Sequence, residues 1–259
     1  MGVENYLKSR SKLNKQLQLV AELPHAFKFN AYDKIQGYYK REAEINKFLN
    51  KFHQDVIEFE ELLSNYLYPP IPNMTNGQVN VLKRYLTNAT TDEEAIDILD
   101  HFISIRFNDE KMDQLVTKWS TYKWLDKNRK DILAEVIDGH KKELFYLSTL
   151  SVFPQIEGIL AEFFPEERNT NGKFTGKNQT NSLQRILNPD LNYDSQWDKF
   201  YRQQLTQDFK HMEPIEVLSR HAMAHGADKR YGSRANSTKS IIILDYLLTR
   251  MNWYVNVNS

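Results

Sequence analysis

A chain of 259 residues is long enough for one large domain or two modest ones, each with a core of ordinary size. Apolar residues make up 41% and charged residues 26%, the balance of a chain that folds rather than stays disordered. The 34 basic and 34 acidic residues cancel, which excludes a global positive field pulling the molecule onto nucleic acid, and the absence of cysteine excludes disulfides, thiolate metal sites and a cysteine nucleophile.

The opening MGVENYLKSRSKLNKQ has neither an apolar core nor a small-residue cleavage site of a signal peptide, and no stretch approaches the ~18 apolar residues of a membrane span. A cytoplasmic protein without membrane contact is the expectation. Leu7, Leu13, Leu17, Val20 and Leu23 recur at helical spacing up to Pro24, and a second, longer periodic run extends from about Tyr32 to Leu67. Pro69, Pro70 and Pro72 remove backbone donors and make a stiff connector over 69–72. Helices are predicted from about Gln78 to Leu86 and from Thr91 to about Ile105; Thr91-Asp92-Glu93-Glu94 has the spacing of a reciprocal capping box. Trp119, Tyr122 and Trp124 read as a packing cluster.

Helical periodicity returns from Asp126 to Phe164, and from Leu144 onward it is apolar almost all round, the mark of a buried helix. Pro154 should begin a helix there or kink one. Residues 168–182, RNTNGKFTGKNQTNS, lack periodicity and read as a long loop. Short helices are expected near 183–187 and 196–209, then one over 214–225, then one over 237–253. No segment alternates as a sheet strand does, so the fold class is all-α.

The 214–225 helix carries the chemistry. Pro214 suits a first helical turn and Gly226 the left-handed position beyond the last, so EPIEVLSRHAMAH reads as one bounded helix with Ile215, Leu218, Ala222 and Met223 as its buried stripe. Arg220, His221 and His225 fall in its last two turns, where unpaired carbonyls favour a charged imidazole. His221 and His225, four apart, also have the spacing of half a metal site, but Ala222 stands where a zinc protease needs glutamate and no third ligand is apparent. No metal or other cofactor is expected. Nearby Lys210, Arg220, Lys229, Arg230, Arg234 and Lys239 outnumber Glu213, Glu216 and Asp228, a local basic setting suited to an RNA backbone.

Arg220-His221-Ala222-Met223-Ala224-His225 resembles the motif of the HEPN superfamily, an Arg, a polar residue, three variable residues and a His. The flanks FYLSTLSVFPQIEGILAEFF (145–164) and ADKRYGSRANSTKSIIILDYLL (227–248) are similar to the helices around that motif in bacterial abortive-infection or toxin-type HEPN proteins. The resemblance covers roughly residues 126–259. It implies a helical bundle with additional N-terminal helices, divided as a region 1–110 of unassigned role and a HEPN-like domain 111–259. It further implies a homodimer in which two motif helices form one composite active site, and a metal-independent ribonuclease serving antiviral defence or as a toxin, for which an antitoxin or regulatory partner is expected. The implied roles are proton transfer by His225, phosphate binding by Arg220, and orientation of the phosphate by His221. Lys229, Arg230, Tyr231, Arg234 and Glu157 are the expected substrate-binding residues, with Glu157 facing Arg220. Five residues separate Arg220 from His225, ~140° around an ideal helix, so one copy does not align them and two copies across a dimer would. The alternative in this family is a non-catalytic module that binds nucleotide or protein.

Overall fold

Caps encoded within a few residues set most of the helix boundaries. The computed structural model describes residues 25–168, 171–187, 192–201, 218 and 220–258, without the side chains of 25–39, 48, 49, 192–195, 220 and 221. Among the described residues there are ten α-helices and no strand. They are α1 (His25–Asn65), α2 (Asn76–Asn88), α3 (Asp92–Arg106), α4 (Asp109–Ser120), α5 (Lys127–Lys141), α6 (Phe145–Phe163), α7 (Gly176–Ile186), α8 (Asn192–Phe200), α9 (Arg220–Ala224) and α10 (Arg234–Asn258). None is long and apolar enough to cross a membrane. The helix expected over 7–23 lies outside the described residues.

Thr75 and Gln78 form a reciprocal capping box at the start of α2: the Gln78 amide donates to Thr75 Oγ1 (3.3 Å) and the Thr75 amide to Gln78 Oε1 (3.0 Å). At α3 the expected box forms only by half. Thr91 Oγ1 accepts from the Glu94 amide (3.2 Å), but the Glu94 carboxylate turns to Thr90, accepting from both its amide and its hydroxyl at 2.8 Å. Asn108 and Asp126 cap α4 and α5 through the amides of Lys111 and Arg129.

The segment 168–182, read as one loop, is helical from 176 onward. Gly176 opens α7, whose Gln179, Ser182, Leu183 and Ile186 are buried at helical spacing. The Thr175 amide donates to Asn178 Oδ1 (2.8 Å), Asn181 Nδ2 to Glu167 Oε2 (3.2 Å), and Arg185 pairs with Glu166 while lying 4.3 Å over the Phe164 ring. Asn and Thr were acting here as helix caps and struts, which a composition rich in turn formers conceals.

α6 departs from its expected all-round burial. Its inner face buries Val152, Phe153, Ile156, Ile159 and Leu160, while Leu147 is 62% exposed and Pro154 stays within one continuous helix with its ring in solvent. The stretch buried on every side is the middle of α10, where Ile241 through Leu248 are all buried, while Trp253 and Val257 nearer its end are exposed. It packs along α6 and also touches α3, α5 and α7. Trp119 is buried and Trp124 half-buried within this packing, as the aromatic cluster predicted.

The chain divides into two compact units, residues 1–54 and 55–259. The sequence reading set the division at 110. In the structure α2 and α3 share one hydrophobic core with the helices beyond 111, through Val79, Leu82, Leu99 and Ile103 among others. Proline marks a stiff connector, but a domain boundary requires that few contacts cross it.

A buried hydrogen-bond relay joins three helices of this core. His140 Nδ1 on α5 lies 2.8 Å from Ser237 Oγ on α10, Ser237 donates to Ser148 Oγ on α6 (2.9 Å), and Ser148 donates to the Val136 carbonyl (3.0 Å). Each hydroxyl has one proton, so Nδ1 must be the donor to Ser237, leaving the bare nitrogen Nε2 facing the core without a partner. Burial, reinforced by the positive charge of Arg234 and opposed by Asp109, pushes the His140 pKa down from 6.5 to about 4. The folded protein therefore excludes a proton that the unfolded chain binds. Its contribution to stability is intact above pH 6.5 and is lost as pH falls toward 4. Between pH 7.5 and 4.5 this contribution falls, while buried Glu60, whose pKa burial raises to about 8, contributes in the opposite direction, so the part due to His140 is read as a difference in the slope of urea midpoints between parent and variant. His140→Leu should remove the His140 part of that slope while costing about 1–3 kcal/mol at pH 7.5, because Ser237 loses its donor. An unchanged slope in the variant would assign the acid sensitivity to other groups.

Candidate functional site

Among the described residues of the motif segment, the expected continuous helix is interrupted at Leu218. Leu218 is not helical, and regular turns are described only from Arg220 to Ala224, against an expected start at Pro214; 214–217 lie outside the described residues. Ala222 and Met223 are buried, and α9 packs on α6. The expected stripe is thus present in Ala222, Met223 and half-buried Leu218. Gly226 stands just past the helix at φ +69°, in the left-handed region that favours glycine. The turn it makes lets the Gly226 amide donate to the Met223 carbonyl (3.1 Å) and those of Ala227 and Asp228 to that of Ala222 (2.8 and 3.1 Å). Burial of Ala222 and Met223 against α6 leaves Ala224 and His225 exposed.

The chain after the turn is pinned to the first turn of α6. Tyr146 Oη donates to the Lys229 carbonyl (3.1 Å), and its ring meets Tyr231 edge-on with centroids 5.1 Å apart. Gly232 lies so close to the same ring that a Cβ there would come within 2.3 Å of it. Asp228, buried, accepts from the Arg230 amide (2.8 Å) and closes a tight turn between them. Lys229 and Arg230 are consequently held at the surface in the same strap as His225.

His225, Lys229, Arg230 and Tyr231 thus come together on one stretch leaving α9. Arg220 and His221 lie in α9 itself, with side chains outside the described residues. Tyr231 is half-buried on Tyr146, and Glu157 is half-buried on α6, the helix that α9 packs against. Arg234 is committed elsewhere: it pairs with Glu143 (3.2 Å), lies 3.9 Å from Asp109 and sits over the Phe145 ring. Lys239 likewise pairs with Asp100 (2.8 Å) and covers the Tyr68 ring. Of the basic ring counted in sequence, Lys229 and Arg230 are exposed on the strap and Arg234 and Lys239 are committed to acids elsewhere, while Lys210 and the side chain of Arg220 lie outside the described residues. Asp228, Arg230 and Leu218 also face a cavity whose other wall comes from the end of α1 and the start of α3. No local signal could have joined residue 92 to residue 230.

No family model matches this chain, and neither the curated proteins nor the solved structures contain a significant match.

Gly232→Ala should break the close approach to Tyr146. A side chain with nowhere to go in a packed contact costs about 1–3 kcal/mol, so the melting temperature should fall by several degrees. Tyr146→Ala in the same background should recover part of that loss. Full additivity of the two substitutions would show that Gly232 and Tyr146 do not bear on each other.

Proposed function

We propose that this protein is a metal-independent endoribonuclease of HEPN type, acting as a defence or toxin effector. The observation that carries the reading is the Arg220-His221-x3-His225 constellation at the end of a helix seated on α6, with exposed His225 in one strap with Lys229 and Arg230. RNA supplies its own nucleophile, the ribose 2′-hydroxyl, so the protein need only move protons and stabilise the crowded phosphate. An imidazole at His225 suits proton exchange with the 2′-hydroxyl or the 5′ leaving oxygen. Arg220 offers a planar fork of donors to the non-bridging oxygens, where charge builds in the transition state. His221 orients the phosphate, and Lys229 and Arg230 hold the flanking backbone. The products are a 2′,3′-cyclic phosphate and a 5′-hydroxyl.

The active form in this reading is a homodimer. Most of the apolar surface of α10 is covered within the chain, so it does not itself call for a partner. The support lies on α5 and α6, where Ile132 (37% exposed), Leu144 (50%) and Leu147 (62%) line one shallow groove beside the tyrosine that anchors the motif strap. A second copy covering that groove would bring its own motif segment to the same region. Light scattering should give a dimer at micromolar concentration, and Leu147→Glu should shift it toward monomer and lower cleavage together. A monomeric parent protein that cuts RNA would remove the dimer from the mechanism.

Purified protein should cleave single-stranded RNA in EDTA, and His225→Ala should slow cleavage about 10²–10⁴-fold while fold and oligomeric state persist. Separation is expected because a residue at an open helix end contributes only about 1 kcal/mol to stability. Equal cutting by the variant, or cleavage abolished by EDTA and restored by zinc, would overturn the metal-free assignment. RNA bound but never cut would identify a non-catalytic module.

A further inference from the structure

We propose that Glu143 is a latch for the motif strap, its ion pair with Arg234 holding the far end of the strap on the turn between α5 and α6. Both residues stand against their local preferences. Helix α5 ends in a Schellman turn, with the Glu143 amide donating to the His140 carbonyl (3.0 Å) and that of Leu144 to the Gly139 carbonyl (2.8 Å), which puts Glu143 at φ +61°. Glycine suits that backbone, and a carboxylate near the negative end of a helix is unfavourable besides. Arg234 repeats the conflict with the opposite sign. It is the first residue of α10, directly after Ser233, whose Oγ accepts from the Asn236 amide (3.1 Å), so its guanidinium stands at the positive end of that helix.

The two conflicts meet in one ion pair. Arg234 Nη2 donates to Glu143 Oε1 (3.2 Å) across 91 positions of sequence, and its guanidinium lies over the Phe145 ring. The Glu143 side chain is 70% exposed, and a pair so open to water shifts an equilibrium by about fivefold at most. Left-handed backbone disfavours a residue other than glycine by about five- to thirtyfold, before either helix dipole is counted. Global stability therefore does not account for glutamate at this position. Local rules broken with no net gain in stability are expected where a group is held for function.

The place of the pair supplies that function. The strap is clamped at its start by the Ala222 and Met223 carbonyls, which accept from the amides of Gly226, Ala227 and Asp228. In its middle it rests on Tyr146, through the Lys229 carbonyl and the Tyr231 ring. At its end the Ser233 amide donates to the Tyr231 carbonyl (3.0 Å), and the next residue is Arg234, drawn onto Glu143 and Phe145. One short turn of chain, 143–146, thus holds both the middle and the end of the strap. Of the three clamps, the exposed ion pair opens most readily, because it displaces no packed ring and breaks no backbone hydrogen bond. Its opening loosens the segment that carries Lys229 and Arg230 beside His225 while the buried middle of α10 stays folded.

Hydrogen exchange on the full chain tests the latch without reference to activity. Glu143→Gly should leave the melting temperature level or raise it, while the amides of Ala227, Asp228, Arg230 and Ser233 exchange about two- to fivefold faster and those of Ile242 to Leu248 stay as in the parent. Arg234→Gln should loosen the same amides, and adding Glu143→Gly to it should change nothing further. Strap exchange unchanged by Glu143→Gly, a second substitution that adds its full effect, or a lower melting temperature with core amides opening alongside the strap overturns the proposal. The catalytic consequence rests on the ribonuclease reading: a looser strap should lower kcat for RNA cleavage severalfold, because its groups spend less time in place. A parent protein that cuts no RNA removes that reading and leaves the latch to be decided by exchange. Cleavage untouched by a loosened strap keeps the latch and takes the strap out of the reaction.

Discussion

Burial of the middle of α10, Ile241 to Leu248, on every side is the constraint around which the rest is arranged. A helical stretch with no face to water must satisfy each polar group it carries from its neighbours. Asp245, 5% exposed, does so by accepting from Trp119 Nε1 (2.8 Å) and Lys118 Nζ (2.5 Å), which ties α4 to the centre of the core. Ser237 does so through Ser148 and His140, which fixes α5 and α6 around the start of the same helix. Tyr246 stacks flat on Trp197 at 4.1 Å and holds α8. Removing one partner from such a set costs more than the hydrogen bond, because the other is left buried and unsatisfied.

Glu60 is the counterexample in the same core. It is 2% exposed, its Oε2 has no partner, and burial raises its pKa from 4.5 to about 8. The group is kept protonated at neutral pH rather than paired, a cheaper solution than an unmatched buried charge.

The motif segment stands at the margin of this rigid frame. Ala222 and Met223 are its only described residues buried in α9, and Tyr146 with Gly232 fixes the strap that follows. The frame thus positions His225, Lys229 and Arg230 from behind, with tertiary contacts on α6, and leaves their outer side open to solvent.

The helical class, the boundaries near residues 76–88, 92–106 and 234–258, the packing role of Trp119 and the turn at Gly226 were legible in the sequence, because each depends on interactions within a few residues: apolar spacing, a side-chain cap, or one glycine φ. Reading residues 168–182 as a loop failed for 176–182, where Thr175 and Asn178 form a capping box and Asn178 also donates to the Glu167 carbonyl, because Asn and Thr serve turns as readily as helix caps. The all-round apolar character of 144–164 did not distinguish a buried helix from one that keeps an exposed apolar edge, since burial is decided by what else packs nearby. Charge was misjudged for the same reason. Arg234 and Lys239 count as basic in sequence, yet Glu143 and Asp100, brought from 91 and 139 positions away, neutralise them. The sequence by itself determined the helical class, most of the helices and where the Arg220–His225 constellation lies in the chain. Only the tertiary structure decided which charges remain unmatched and which surfaces meet across the cavity, because those depend on chain segments that local physics does not connect.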